Sequence, residues 1–388
     1  MRKSLILVSV IALLLLAFAC QQKQQEQSSM SLSDAQAMAA KEGKPLLIDF
    51  YASWCGPCQR FTKASHEDPD IMKALQQVVL HKIDCEKGDG IALAKKYNIT
   101  GYPTYVLANS NAETIARWSG YSKDYFLENL DKGTSDLSTI DEKQAKFESD
   151  PTVAGALALA QYNASMDNNK KAVEYYTKAE QLEKGNNFAF DIFQYTVYGA
   201  ANGEFTYDDA EKAADKVFAS DTVENKVYAA YKMSNLAKEG GKTEDVAKYL
   251  SIGINDAKGS DNPDVKQLND YLEIDYSLYV AKDTAKAVEY KKATLGDNWM
   301  EDPQQLNSFA WWCYENNCDL EEAETLAKKA VELSEPGSSR AMILDTVAHI
   351  CKSLGKNDDA IKYMEMAAKD DPGNKGYQTT LEKFKQEL

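Results

Sequence analysis

Trp54-Cys55-Gly56-Pro57-Cys58 follows closely on the apolar run Leu46-Leu47-Ile48-Asp49-Phe50-Tyr51, and these two stretches decide how the N-terminal part of the chain folds. The apolar run, broken only by Asp49, reads as a buried strand. A helix is expected to begin at the cysteines, because Pro57 suits a helix's first turn, where its missing N–H costs nothing. Unpaired backbone N–H groups at that end favour negative charge on a nearby sulfur. Cys55 is therefore expected to be the accessible, low-pKa thiolate and Cys58, one turn on, the shielded thiol that resolves a mixed disulfide. Two thiols so spaced can carry out reversible two-electron chemistry with no cofactor. A bare C-x-x-C also serves as half of a zinc site. Here the nearby histidines are His66 and His81 and the nearest further thiol is Cys85, which gives no second ligand pair, so no metal is expected. Cys85 reads as a small thiol capping a strand end.

Outward from the motif, the segment from Met30 to Gly133 resembles thioredoxin in four features. These are the Trp-Cys-Gly-Pro-Cys run, Asp49 six residues before Cys55, the loop Gly101-Tyr102-Pro103-Thr104, and a closing hairpin (Tyr105-Val106-Leu107 with Thr114-Ile115-Ala116), Gly120 and helix near Tyr121–Leu130. The resemblance implies that Asp49 is a buried carboxylate moving protons for the resolving thiol. It also implies that Pro103 is a cis-proline opposite the active site, and that Trp54, Gly56, Pro57, Tyr102 and Pro103 line the substrate site. Two positions depart from the pattern: Gln59 stands where many members carry lysine, and Leu80 where they often place a lysine beside the buried aspartate. Lys82, two residues on and on the same strand face, is the substitute expected. The domain is predicted to run as helix 33–41, strand 45–51, a helix from Cys55, strand 78–83, helix 91–97, the hairpin and the last helix.

The chain opens Met1-Arg2-Lys3 and continues apolar from Leu5 to Ala19, a charged n-region and an h-region too short for an ordinary membrane span. Residues 1–19 are expected to be an export signal. Cys20 follows at once, so the end resembles a lipoprotein box with lipid on Cys20; the alternative is ordinary cleavage after Ala19. Residues 20–30, polar and without hydrophobic pattern, read as a flexible tether.

From about Thr134 the strand signal fades and alanine, tyrosine and charged residues recur at helical spacing. Lys171-Ala172-Val173-Glu174-Tyr175 returns as Lys286-Ala287-Val288-Glu289-Tyr290, a self-similarity that marks repeats. Ala160, Ala172, Tyr176 and Ala179 have the spacing of a tetratricopeptide repeat. So do Ala310, Tyr314, Ala323, Ala327 and Ala330, and Ala348, Ala360, Met364, Ala367 and Pro372. The likeness is clear at the ends of the region and weak between Asp191 and Leu295. The fold class expected is an α/β thioredoxin fold over 31–135, followed over 136–388 by an all-α, tetratricopeptide-like solenoid of five to seven helix pairs. Cys313, Cys318 and Cys351 fall in the last repeats, where a bridge or buried inert thiols are both open; Trp311-Trp312 reads as packing.

Residues 31–135 carry 12 Lys+Arg and 13 Asp+Glu, whereas 136–388 carry 29 and 46. Such an acidic balance argues against nucleic acid as a partner. Its plain reading is solubility, its sharper one a groove for a basic partner. Two function classes follow: a thiol-disulfide oxidoreductase acting on proteins with disulfides or cysteines, or an envelope scaffold or chaperone-like protein dominated by its repeats. Cys55, Cys58, Asp49 and Pro103 together favour the first, as a scaffold needs none of them. The Gly-Pro pair resembles reducing thioredoxins and implies a reductase of exported proteins, with electrons from a membrane thiol-disulfide interchange protein; an oxidase or isomerase is the alternative.

Overall fold

The computed structural model describes residues 30–387 apart from 184 and 186; the signal, Cys20 and all but the last residue of the tether lie outside the described residues. Two compact units divide near residue 209. In the first, α1 (Leu32–Glu42) is opened by a capping box in which the Ser31 side chain accepts from the Asp34 N–H, and is closed by Gly43 at φ 63°. The chain then forms β1 (Leu46–Tyr51), α2 (Gly56–Glu67), α3 (Pro69–Leu75), β2 (Val79–Asp84), α4 (Gly90–Lys96), β3 (Thr104–Ala108), β4 (Thr114–Ser119) and α5 (Lys123–Ser135). The sequence implied one helix between β1 and β2. There are two, because Asp68 accepts from the N–H groups of Asp70 and Ile71 and Pro69 starts a second helix.

The sheet order is β2-β1-β3-β4, with β1 parallel to β2 and every other pairing antiparallel. β1 is central and covered on both faces, which explains its nearly unbroken apolar sequence. Leu46, Ile48 and Phe50 pack with Ala35 and Ala39 of α1. On the other face Leu47 joins Phe61, Ile71, Tyr105, Trp118 and Phe126 beneath α2, α3 and α5. The Phe61, Tyr105 and Phe126 rings lie 4.8–5.0 Å apart, at contact distances for tilted and edge-to-face rings.

β4 is an edge strand, and the next helices, α6 (Ile140–Ser149) and α7 (Val153–Ser165), pack on it. Lys143 of α6 donates to the Ile115 carbonyl at 3.2 Å. Buried Arg117 of β4 donates from Nε to the Ser165 carbonyl at 3.0 Å, and through its other nitrogens to the carbonyls of Tyr97 and Asn98. A cation held at the C-terminal ends of α4 and α7 suits the negative ends of both helix dipoles.

Beyond α7 the chain is helical: α8 (Asn169–Leu182), α9 (Ala189–Ala201), α10 (Tyr207–Ser220), α11 (Val223–Glu239), α12 (Thr243–Ala257), α13 (Pro263–Tyr276), a π-turn (Ser277–Ala281), α14 (Thr284–Ala293), α15 (Pro303–Glu315), α16 (Leu320–Glu332), α17 (Ser338–Ser353), α18 (Asn357–Asp370) and α19 (Lys375–Gln386). Among the described residues six helix pairs are marked by one recurring turn. Asp167, Gly203, Gly241, Lys282, Asn317 and Gly355 are all left-handed. After each, the next N–H reaches back to a carbonyl near the end of the first helix: Asn168 to Asn163, Glu204 to Gly199, Lys242 to Ala237, Asp283 to Ser277, Cys318 to Cys313 and Lys356 to Cys351. The alanines picked out by spacing, including Ala160, Ala172, Ala179, Ala327, Ala348 and Ala360, are fully buried, where they allow close helix approach. These features define the helical solenoid. Cys313, Cys318 and Cys351 are free and buried, and the Cys351 thiol points at Glu324 Oε1, 3.6 Å away.

Candidate active site

Cys55 and Cys58 form a disulfide at the start of α2. Cys55 is the N-cap, its sulfur accepting from the Cys58 N–H at 3.2 Å, and Pro57 sits in the first turn. In this oxidised state the expected accessibility of Cys55 is not seen: Cys55 is 4% exposed and Cys58 2%. Tyr51 and Tyr102 pack over them, with Ala52 alongside. Trp54, by contrast, is 67% exposed. It meets Tyr102 edge-on at 6.0 Å and donates to Glu86 at 2.8 Å, which fixes an indole at the rim of the disulfide. The Tyr102-Pro103 bond is cis, Pro103 is buried, and Gly56 is exposed on the outer turn.

Asp49 lies on the face of β1 that looks toward α2 and is 1% exposed. Burial pushes its carboxyl up to about 6, with Lys82 pulling the other way. Lys82, its register partner on β2, stands 3.4 Å from Oδ2. Neither carboxylate oxygen has an aligned hydrogen-bond donor among the described residues. The ammonium donates instead to Thr62 Oγ1 at 2.6 Å, and Thr62 donates to the Cys58 carbonyl at 2.9 Å. Asp49, Lys82 and Thr62 thus form a polar chain from the sheet to the Cys58 backbone. Lys82 takes the place that Leu80 leaves apolar. Thr62 was not anticipated, although its position one turn after Cys58 was a usable signal. Gln59, the other departure, donates to the Ser53 carbonyl and closes the motif loop.

Cys85 follows β2 as a buried thiol. Burial first, then Asp84 and Asp49, push it up to about 12, which makes it a poor nucleophile. His81 is buried on the opposite face of the sheet from Asp49, and burial lowers its pKa.

Residues 29–132 match the thioredoxin family model. Among curated proteins, the thiol:disulfide interchange protein DsbD of Klebsiella pneumoniae is 35% identical over 80 residues, which are 20% of this chain and 13% of the relative. DsbD of Escherichia coli K12 is likewise 35% identical over 80 residues, 14% of its length. The chain therefore spans only about a seventh of the curated relatives it matches. Among solved structures, a thioredoxin from Thermus thermophilus is 26% identical with a TM-score of 0.24, covering 25% of this chain and 79% of that one. The oxidised C-terminal domain of Neisseria meningitidis DsbD is 22% identical with a TM-score of 0.23, covering 26% and 89%. The four-stranded sheet, the Cys55–Cys58 disulfide and the family match coincide on the same residues, and residues 29–132 of this chain are a domain of the thioredoxin family.

Proposed function

We propose that this protein is a thiol-disulfide oxidoreductase that reduces disulfides of exported proteins. The observation that carries the reading is the Cys55–Cys58 bond at a helix N-terminus, with the buried Asp49 carboxyl, pushed up to about 6 by burial, on the strand face that looks toward that helix. In the reduced enzyme the Cys55 thiolate attacks a substrate disulfide; one substrate sulfur leaves as a thiolate and takes up a proton, and a Cys55–substrate mixed disulfide remains. Asp49 accepts the Cys58 proton, and the Cys58 thiolate attacks Cys55 Sγ. That step releases the second substrate thiolate and closes the Cys55–Cys58 bond, so two electrons pass from enzyme to substrate. A carboxyl near pH 6 is matched to this proton transfer. Trp54, Gly56, Pro57, Tyr102 and Pro103 hold the substrate chain beside the sulfur. The names of the DsbD relatives support interchange chemistry, and the Gly56-Pro57 pair supports the reducing direction.

The remaining assignments belong to the same proposal. The signal and Cys20 tether the enzyme by lipid at a bacterial envelope membrane, a membrane thiol-disulfide interchange protein returns it to the dithiol, and the repeats select substrate or partner. The test is Cys58→Ser, which is expected to accumulate a mixed disulfide through Cys55 that mass spectrometry identifies; Cys55→Ser accumulates none. Equal trapping by both variants, or by neither, contradicts the assignment.

A further inference from the structure

Each of the six helix pairs is turned by the same backbone bond, from the N–H after the left-handed residue to a carbonyl near the end of the first helix. That bond ties two positions together, and contact between side chains there commonly accompanies it. In the turn between α15 and α16 both positions are cysteine: the Cys318 N–H donates to the Cys313 carbonyl at 3.0 Å. Among the described residues no other of the six turns has a thiol at both ends; Cys351, at the first position of the last turn, is tied to Lys356. Cys318 is also the buried residue among the six second positions, where Asn168, Glu204, Lys242, Asp283 and Lys356 are partly or fully exposed. The chain is left-handed on both sides of it, at Asn317 (φ 49°) and Asp319 (φ 48°), whereas the other five turns have one such residue each.

A disulfide needs Cα atoms roughly 4.4–6.8 Å apart and side chains that point at each other. A direct backbone bond between the two residues supplies the first condition. The second is met because the two thiols hydrogen-bond to one another, within an apolar cluster that also holds Phe309 and Ala323. The same bond holds Cys318 below the usual thiol range and, together with burial, raises Cys313. Cys318 is therefore the thiol that ionises first, and Cys313 the one that keeps the shared proton. Cys85 and Cys351, by contrast, are each pushed up to about 12, by burial first. Cys318 is 4% exposed, as Cys55 is.

We propose that Cys313 and Cys318 are a second redox pair, which closes reversibly to a disulfide across the α15–α16 turn by exchange with low-molecular-weight disulfides. Cys318, having lost its proton, attacks one sulfur of the small disulfide, whose other half leaves as a thiolate and takes up a proton. Cys313 then gives its proton to solvent, and its sulfur attacks Cys318 Sγ and displaces the second half, which is protonated in turn. The chain loses two electrons and two protons, and the small disulfide becomes two thiols. The closed ring covalently fixes a turn that the 3.0 Å backbone bond spans in the dithiol, so the last repeats stiffen on oxidation. The pair lies outside the thioredoxin domain, and its chemistry is independent of the oxidoreductase reading.

The test equilibrates the folded full chain in glutathione buffers of rising oxidised fraction, quenches with acid, then unfolds, alkylates and digests it. Trypsin releases Cys313 and Cys318 on one peptide, residues 293–328, and Cys351 on another. The first peptide is expected to pass from two alkyl groups to none, with a mass about 2 Da below that of the free dithiol, and to regain both after dithiothreitol, while Cys351 stays alkylated throughout. Cys313→Ser is expected to stop at a glutathione adduct on Cys318, formed about tenfold or more faster than any adduct on Cys313 in Cys318→Ser. Amide exchange from Asn317 to Leu320 is expected to slow about tenfold on closure. A wild-type peptide that keeps both alkyl groups in glutathione disulfide, or that carries adducts without closing, overturns the proposal and leaves the two thiols as packing. Unchanged exchange overturns the stiffening. Closure is expected unaltered in the Cys55→Ser/Cys58→Ser chain, so failure of the oxidoreductase reading leaves it standing; closure lost in that chain overturns direct exchange with small disulfides.

Discussion

Asp49 shows how a single buried carboxyl couples stability to chemistry. Its pKa is raised from 3.8 to about 6, so between those values the folded chain binds more protons than the unfolded chain, and its stability falls as pH rises through that window. Above it, the cost of burying the carboxylate is present in full. Asp49→Asn, which cannot ionise, is expected to be more stable than wild type by about 2–3 kcal/mol at pH 8 and nearly equal to it at pH 4, measured by urea unfolding at both pH values. The same variant is expected to slow resolution of the mixed disulfide by about 10²-fold or more, as for a lost general base. Equal stability differences at both pH values contradict the account of this residue. The cysteines were legible in the sequence because the motif follows closely on a strand, and Asp49 and the Tyr102-Pro103 pair because of the resemblance to thioredoxin. The burial of Cys55 was not, since Tyr51 and Tyr102 reach it only through the fold. Nor was the Lys82–Thr62 link, which joins residues 20 positions apart.

Among elements, the terminal repeats were readable because their small and large residues keep regular spacing. The middle ones were not, because the spacing stretches where the π-turn at Ser277–Ala281 lengthens a helix, and because glycine replaces alanine at a contact. Gly253 of α12 is such a position: an added Cβ would lie 2.6 Å from Leu272 Cδ1 and 3.0 Å from Ala230 Cβ. Gly253→Ala is therefore expected to destabilise the second unit by about 1–3 kcal/mol through overpacking, read as a lowered denaturation midpoint. An unchanged midpoint would mean that the three helices repack at no cost. The short helix α3 was missed, because it is too brief to carry a periodicity of its own and only Asp68-Pro69 marks its start.

At the scale of the whole molecule, the chain joins a redox domain to an acidic helical array, and in the first unit the joint is made by Arg117 and Lys143 across the edge of the sheet. Composition revealed the acidic excess but not that β4 would be covered by α6 and α7, because a covered edge leaves no periodic trace. Arg117→Met leaves the carbonyls of Tyr97, Asn98 and Ser165 without that donor. It is expected to cost about 2–4 kcal/mol and to speed amide exchange at the ends of α4 and α7. Unchanged exchange there would contradict the joint. The direction of the chemistry is tested most directly by the equilibrium reduction potential of Cys55/Cys58 in the full chain, poised against thiol-disulfide buffers with Cys58→Ser as the control. A value near about −270 mV is predicted for a reductase. A value near about −120 mV would identify a disulfide-forming oxidant instead, and no reversible couple would contradict the oxidoreductase account altogether.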